Sequence, residues 1–330
     1  MTSVLRNTGK GGAPYVRSAD KASPILAEYF VAILPALTWG ILAYGLPAAY
    51  NVIFSVLAAL AAEAVSSFIL RKKRPGGFVL AAITGVLIPM CLPVNVGAVI
   101  PAAASFVAVL AVRRLLGEIT IRGYRISDFV EPVALAWCVI RLAVRESGIY
   151  FEAFAGNEPK VKETALQVLK TGELPSMTLA DLLLGKCAGA VGEISALLIA
   201  LGGVYLILRK IVSWRVPVAF LAAAALTVLV YPRGVDRVSI MAYQMLSGGI
   251  FLGAFFVAAL PGASPVTDNG KLIYGAGCGI LTVIFRYFGL FAEGVPFAIV
   301  VMGLLSPLID SLTLPRPIGI KKKRNNKKKE

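Results

Sequence analysis

Glu28, Glu63, Glu131, Arg141, Glu193, Arg286 and Asp310 each stand within, or at an end of, a long apolar run. A charge in such surroundings is costly, so each is a candidate for passing a proton, holding a cation or neutralising a partner. The structural reading stands beside the functional one: a buried carboxylate can simply pair with an arginine or with backbone. Residue types exclude much other chemistry. The chain has no histidine, which removes haem ligation through imidazole, histidine-bound zinc and Ser-His-Asp catalysis together. Cys91, Cys138, Cys187 and Cys278 are widely spaced and form no CxxC pair, so they read as small apolar fillers. A G-x-G-x-x-G fingerprint for a dinucleotide is also missing from the sequence.

The elements that must position these charges are membrane helices. Of the 330 residues 58% are hydrophobic and 15% charged, where soluble domains run at about 45–50% apolar and about 25% charged. The mean hydropathy is +0.79. The net charge of +15 lies largely in the tail from Lys321 to Lys329 and in short clusters between apolar runs. That placement suits the positive-inside rule and anionic lipid, and no folded basic domain is present to bind nucleic acid. The first residues, Met1 to Ser23, are polar and basic without a hydrophobic core, so no cleavable signal peptide is expected.

About ten stretches are long and apolar enough to be spans. They are Ile25–Leu46, Pro47–Leu70, Gly76–Pro93, Val96–Leu116, Phe129–Val144, Val191–Val212, Pro217–Tyr231, Ser239–Leu260, Leu272–Leu290 and Val295–Leu312. Arg71-Lys72-Lys73-Arg74, the arginines Arg113, Arg114, Arg122 and Arg125, the group Arg209, Lys210 and Arg215, and the lysine tail then share one side with the N-terminus. Both termini are therefore expected in the cytoplasm. Arg233 and Arg237 run mildly against this, offset by Asp236. The expected organisation is a cytoplasmic segment 1–24, a five-helix half 25–144, an external loop 145–190, a second half 191–313 and a basic cytoplasmic tail 314–330. The long loop reads as functional. An internal echo supports two halves: Ile100 leads by thirteen residues to Arg113, and Ile273 by thirteen to Arg286. Each follows a span ending in Leu-Pro, at Leu92-Pro93 and Leu260-Pro261. Five-helix halves would be inverted relative to each other, an arrangement that places sites at their interface.

Several segments resemble the family of RnfD, a subunit of the Rnf electron-transport complex, and its relative NqrB. They run from Pro14-Tyr15-Val16-Arg17-Ser18 through Thr84-Gly85-Val86-Leu87 and Gly192-Glu193-Ile194-Ser195-Ala196-Leu197 to Leu246-Ser247-Gly248-Gly249. Further matches are Ser264-Pro265-Val266-Thr267, Phe285-Arg286-Tyr287-Phe288-Gly289, Glu293-Gly294-Val295-Pro296 and Pro307-Leu308-Ile309-Asp310. The likeness follows the family's order over nearly the whole chain.

The resemblance implies two inverted five-helix halves in an all-α integral membrane protein of the cytoplasmic membrane. It also implies a covalent FMN on a threonine of the external loop, attached by a flavin transferase, with riboflavin as a second flavin to consider. The matching threonine is Thr164, in Thr164-Ala165-Leu166-Gln167-Val168-Leu169-Lys170. Its alternative role is capping a helix over Ala165–Lys170. Lys160 and Lys162 could face a phosphate. Upstream the chain departs from the family, with Val161-Lys162-Glu163 where Ser or Thr and then Gly-Ala are usual. Ala259-Leu260-Pro261, Glu131-Pro132 and Gly303 replace other family residues, which marks a divergent member. The family-like positions of Glu63 and Glu193 make them the foremost ion-pathway candidates, with structural pairing the alternative. The implied partners are other membrane and peripheral subunits of an Rnf-type complex. The function expected is a subunit of an ion-translocating oxidoreductase passing electrons through flavin, with Na⁺ or H⁺ moved and no turnover by the chain alone. Two rivals are a solute transporter with inverted repeats and a flavin-free scaffold subunit.

Overall fold

The computed structural model describes residues 22–70, 76–121, 124–125, 129–143, 150–151, 153–154, 163–233, 236–260 and 264–314. The N-terminal basic segment, the Arg71–Arg74 cluster, Arg122, Lys160, Val161 and Lys162, Pro261, Arg316 and the lysine tail lie outside them. The described chain is helical apart from one antiparallel ladder, β1 (Thr120–Ile121) with β2 (Tyr124–Arg125).

Runs of Leu, Ala, Val and Ile form α1 (Ala22–Tyr44) and α2 (Leu46–Leu70), separated by Gly45 alone. Gly45 has φ +71°, a left-handed conformation that reverses the chain and that a side chain would strain. α3 (Gly77–Met90) ends beside Pro89, and α4 (Val99–Val107) continues into a π-helical segment, Ala108–Leu115. α5 (Pro132–Ala143) starts on the proline that suits a first helical turn. Two short helices follow, α6 (Ala165–Thr171) and α7 (Leu179–Leu184). Then come α8 (Ala196–Leu208) and α9 (Arg215–Val230).

The eighth apolar run is not one straight helix. α10 (Arg237–Leu246) stops, Gly248 and Gly249 both turn left-handed at φ +69° and +64°, and α11 (Ile250–Leu252) restarts into a second π segment, Gly253–Val257. The two pieces meet at a 60° bend. α12 (Asp268–Phe288) and α13 (Val295–Thr313) complete the chain.

Among the described residues, α1, α2, α12 and α13 are long and apolar enough to cross a membrane, and the bent α10–α11 pair makes a fifth if read as one span. α3, α5, α8 and α9 are apolar but shorter, at 14, 12, 13 and 16 residues. The glycine pair Gly248–Gly249 and the π segment Gly253–Val257 divide the expected eighth span, and the π segment Ala108–Leu115 interrupts the fourth. Outward faces are apolar: Phe68 is 85% and Leu312 78% exposed, the arrangement a lipid solvent favours. α9 and α12 pack most extensively, because Gly275 and Gly279 bring α12 against the backbone of α9 at Val216 and Phe220. Earlier in the chain α2 packs on α3 and α4, with Gly85 seated against Ser55 and Val56. α1 lies against α8, and α5 against α13.

Candidate functional site

The site is built around the start of α6. Thr164 caps this helix: its Oγ1 accepts from the Gln167 amide at 3.2 Å, and the Gln167 side chain accepts from the Thr164 amide at 2.8 Å. That reciprocal arrangement satisfies two amides that a helix start leaves open. At the other end of α6, Lys170 Nζ donates to the carbonyls of Gly289 and Leu290 at 2.8 and 2.7 Å. The short helix is thereby fastened over the turn between α12 and α13. Burial, and then the nearby charge of Arg233, lower the Lys170 pKa below its ordinary value.

Between α6 and the membrane helices lies a cavity of about 460 Å³, lined among others by Arg141, Tyr150, Thr164, Lys170, Phe291 and Glu293. Its charged corner is tightly knit. Arg141 donates to Glu293 Oε1 and to the Tyr150 hydroxyl, Tyr150 donates to the same Glu293 oxygen, and Trp137 Nε1 reaches Glu293 Oε2 at 3.3 Å. Arg141, Tyr150 and Glu293 are buried. A second, water-sized void of about 20 Å³ adjoins it and shares Thr164 and Glu293 as lining. Glu193, Ser247 and Gly248 form its far wall.

Glu193 sits in the turn before α8, and its Oε1 is buried without a hydrogen-bond partner. The carboxylate lies against Gly249, where any Cβ would collide with it. Beside it Arg286 binds the broken helix: Nη1 donates to Gln244 O at 2.6 Å and Gln244 Oε1 at 2.9 Å, and Nη2 to the carbonyls of Ser247 and Gly248 at 2.9 and 3.0 Å. The bend frees those carbonyls and the guanidinium takes them up, as buried polar groups require.

Thr164, Arg141, Glu193 and Arg286 are thus brought to one place. Glu63 is elsewhere, paired with Arg114, whose Nε donates to Oε2 at 3.1 Å while Nη2 engages Oε1. Arg113 donates to Leu80 O at 2.9 Å and to Thr84 Oγ1 at 2.6 Å. Glu28 pairs with Arg209 at an exposed end, Asp310 accepts from the Val266 amide at 3.0 Å, and Glu131 accepts from the Val133 amide at 3.3 Å. All four cysteines are buried thiols. Glu293, Tyr150 and Lys170 complete the site without standing out by residue type. Glu293 carries the same signal as Glu131, an acid just before an apolar run.

The cavity's chemistry suits an aromatic phosphoester. Thr164 is partly exposed, Lys170 and Arg141 supply positive charge, and Tyr150 and Phe291 supply flat faces. Esterifying Oγ1 would leave its acceptor lone pairs, so the cap on Gln167 is compatible with attachment. Among the described residues no group of three metal-ligating side chains occurs.

The sequence profile of the NQR2, RnfD, RnfE family matches residues 11–319. The chain belongs to that family. Similar members include the D subunit of the Na⁺-translocating ferredoxin:NAD⁺ oxidoreductase complex of Acetobacterium woodii, 34% identical over 320 residues and covering 96% of each chain. The D subunit of the proton-translocating ferredoxin:NAD⁺ oxidoreductase complex of Clostridium ljungdahlii is 27% identical over 328 residues, 94% of this chain and 96% of its own. The D subunit of the ion-translocating oxidoreductase complex of Marinobacter nauticus is 30% identical over 338 residues, with 94% and 95% covered. Apolar helices and membership of the NQR2, RnfD, RnfE family together make this a multi-pass membrane protein.

Proposed function

We propose that this chain is the membrane subunit of an Rnf-type ion-translocating oxidoreductase that carries electrons through an FMN esterified to Thr164. The observation that carries the reading is that Thr164 lines the 460 Å³ cavity together with Arg141 and Lys170. A flavin there would accept and release electrons one or two at a time. The chain's own residues bind and orient: Lys170 and Arg141 offset phosphate charge, Phe291 and Tyr150 present ring faces, and α6, fastened by Lys170, closes one wall.

The reading extends to ten spans in two inverted halves, with both termini on the cytoplasmic side of the cytoplasmic membrane. Its support is the reciprocal packing of α1 on α8 and α5 on α13, and the equivalent placing of Arg113 and Arg286, each binding backbone of a helix in its own half. Partner subunits of the complex, membrane-bound and peripheral, and a flavin transferase follow from the same reading. Glu193 is the ion-handling candidate, because its Oε1 is buried without a hydrogen-bond partner and the residue lines the small void beside the site. Glu63, saturated by Arg114, is a structural pair.

The test is flavin fluorescence of the denatured protein in a gel, after co-expression with a flavin transferase, beside Thr164→Ala. Fluorescence in the native sequence and a dark band in the variant are expected. Two dark bands, with the transferase active on another target, would sink the attachment and leave a flavin-free scaffold.

A further inference from the structure

Three side chains converge on Glu293, which stands in the turn between α12 and α13 just ahead of Val295. Trp137 and Arg141 come from α5 at four-residue spacing, so they lie on one face of that helix. Tyr150 comes from the chain beyond α5. Arg141 and Tyr150 share Glu293 Oε1 as acceptor, and Trp137 holds Oε2 at 3.3 Å. The Arg141 guanidinium also lies 5.4 Å from the centre of the Tyr150 ring. Both oxygens of the carboxylate are therefore engaged, which fixes its orientation.

Pairing of this kind is weak evidence for stability, because both charges must first give up their water. The position of the pair says more. Arg141, Tyr150 and Glu293 all line the 460 Å³ cavity, and so does Thr164. Glu63 and Arg114, a comparably buried pair, line neither of the two voids described above. The two cations of the cavity wall differ. Lys170 is bound to two backbone carbonyls, which leave its charge intact. Arg141 faces a carboxylate, so the wall presents only the part of its charge that Glu293 leaves uncancelled.

We propose that Glu293 is a positioning residue that sets how much positive charge the wall shows to a flavin on Thr164, and so holds the reduction potential of that flavin down. A flavin that takes up two electrons with one proton gains a negative charge, and a cation nearby favours the reduced form. With Glu293 ionised, Arg141 contributes little to this. With the acid removed, the same guanidinium acts uncancelled in a buried wall, where charge is screened less than in water. Trp137 and Tyr150 hold the acid in register with Arg141, which keeps the cancellation constant.

This inference rests on the proposed attachment of FMN to Thr164, and the experiment tells the two apart. The full-length chain, co-expressed with a flavin transferase and purified in detergent, is titrated with a reductant while flavin absorbance is followed. Glu293→Gln removes the charge at nearly constant shape, Glu293→Asp keeps it, and Tyr150→Phe keeps every charge and the ring. Glu293→Gln should favour the reduced flavin at least tenfold, a rise of about 30 mV for a two-electron couple. Glu293→Asp and Tyr150→Phe should stay within about threefold of native, and all of these proteins should titrate together once denatured. A folded Glu293→Gln protein with the native potential, or an equal rise in Tyr150→Phe, would overturn the inference and leave FMN on Thr164 standing. Should Glu293→Gln fail to assemble, Arg141→Gln removes the cation instead, and a raised potential there would overturn the inference as well. A native chain without covalent flavin would remove the attachment and this inference together.

Discussion

Two buried arginine–carboxylate groups in this molecule are built from the same residue types and differ in almost everything else. Glu63 and Arg114 face each other with two hydrogen bonds, and both side chains are nearly inaccessible. Around Glu293, by contrast, one carboxylate serves Arg141, Tyr150 and Trp137, while its neighbour Glu193 keeps an oxygen without a partner and opens on a void. The first group is closed and saturated; the second is open and incomplete. A buried charge is therefore a poor guide to function by itself. What discriminates is whether its hydrogen bonds are complete and whether a cavity reaches it.

Either group can be disrupted by a single substitution. The largest effect is expected from Arg114→Ala, which strands Glu63 in the core and should cost about 3–5 kcal/mol, read as a lowered unfolding temperature in detergent. Glu193→Gln should leave stability within about 1 kcal/mol of native in the same measurement, since no ion pair is lost. If Glu193→Gln proved as damaging as Arg114→Ala, the distinction between a closed and an open group would fail.

A smaller effect is expected at Gly249, which holds φ +64° and lies against the Glu193 carboxylate. Gly249→Ala should cost about 1–3 kcal/mol through strain. Combining it with Glu193→Ala should recover the part due to the collision and leave the part due to φ, so the pair should be non-additive.

The smallest effect concerns Lys170, whose pKa burial and Arg233 depress. A lysine with a folded-state pKa below its unfolded value makes the unfolded chain the tighter proton binder between the two. Stability should therefore rise slightly with pH as the ordinary lysine pKa of about 10.4 is approached from below, and Lys170→Met should flatten that slope. A slope of opposite sign would show that its two carbonyl contacts outweigh burial.

Much of the helical layout was legible in the residues. Long runs of Leu, Ala and Val located α1, α2, α12 and α13 to within a few positions, and Thr164 as the cap of a helix over Ala165–Lys170 is what α6 shows. The bend at Gly248–Gly249 was not legible, because adjacent glycines in an apolar run read equally well as packing contacts. Nor was the meeting of Glu193 with Glu293, a hundred residues apart in sequence, since hydropathy is blind to long-range contact. Glu63 carried the same local signal as Glu193, and only its partner Arg114 separates them.

The π segment Ala108–Leu115 sets a reading frame that no substitution would reveal. Arg113 and Arg114 are consecutive and both buried, one reaching Thr84 and the other Glu63. On a regular α-helix neighbours point about 100° apart, so two long charged side chains in a row would struggle to share an inward face. A π turn is a helix with one residue too many, and the surplus rotates the remainder of the helix. The register of this segment is thus a one-residue frame: removing one residue between Ala108 and Ala111 would change no charge, yet it would swing one arginine toward lipid and leave Thr84 or Glu63 without its cation.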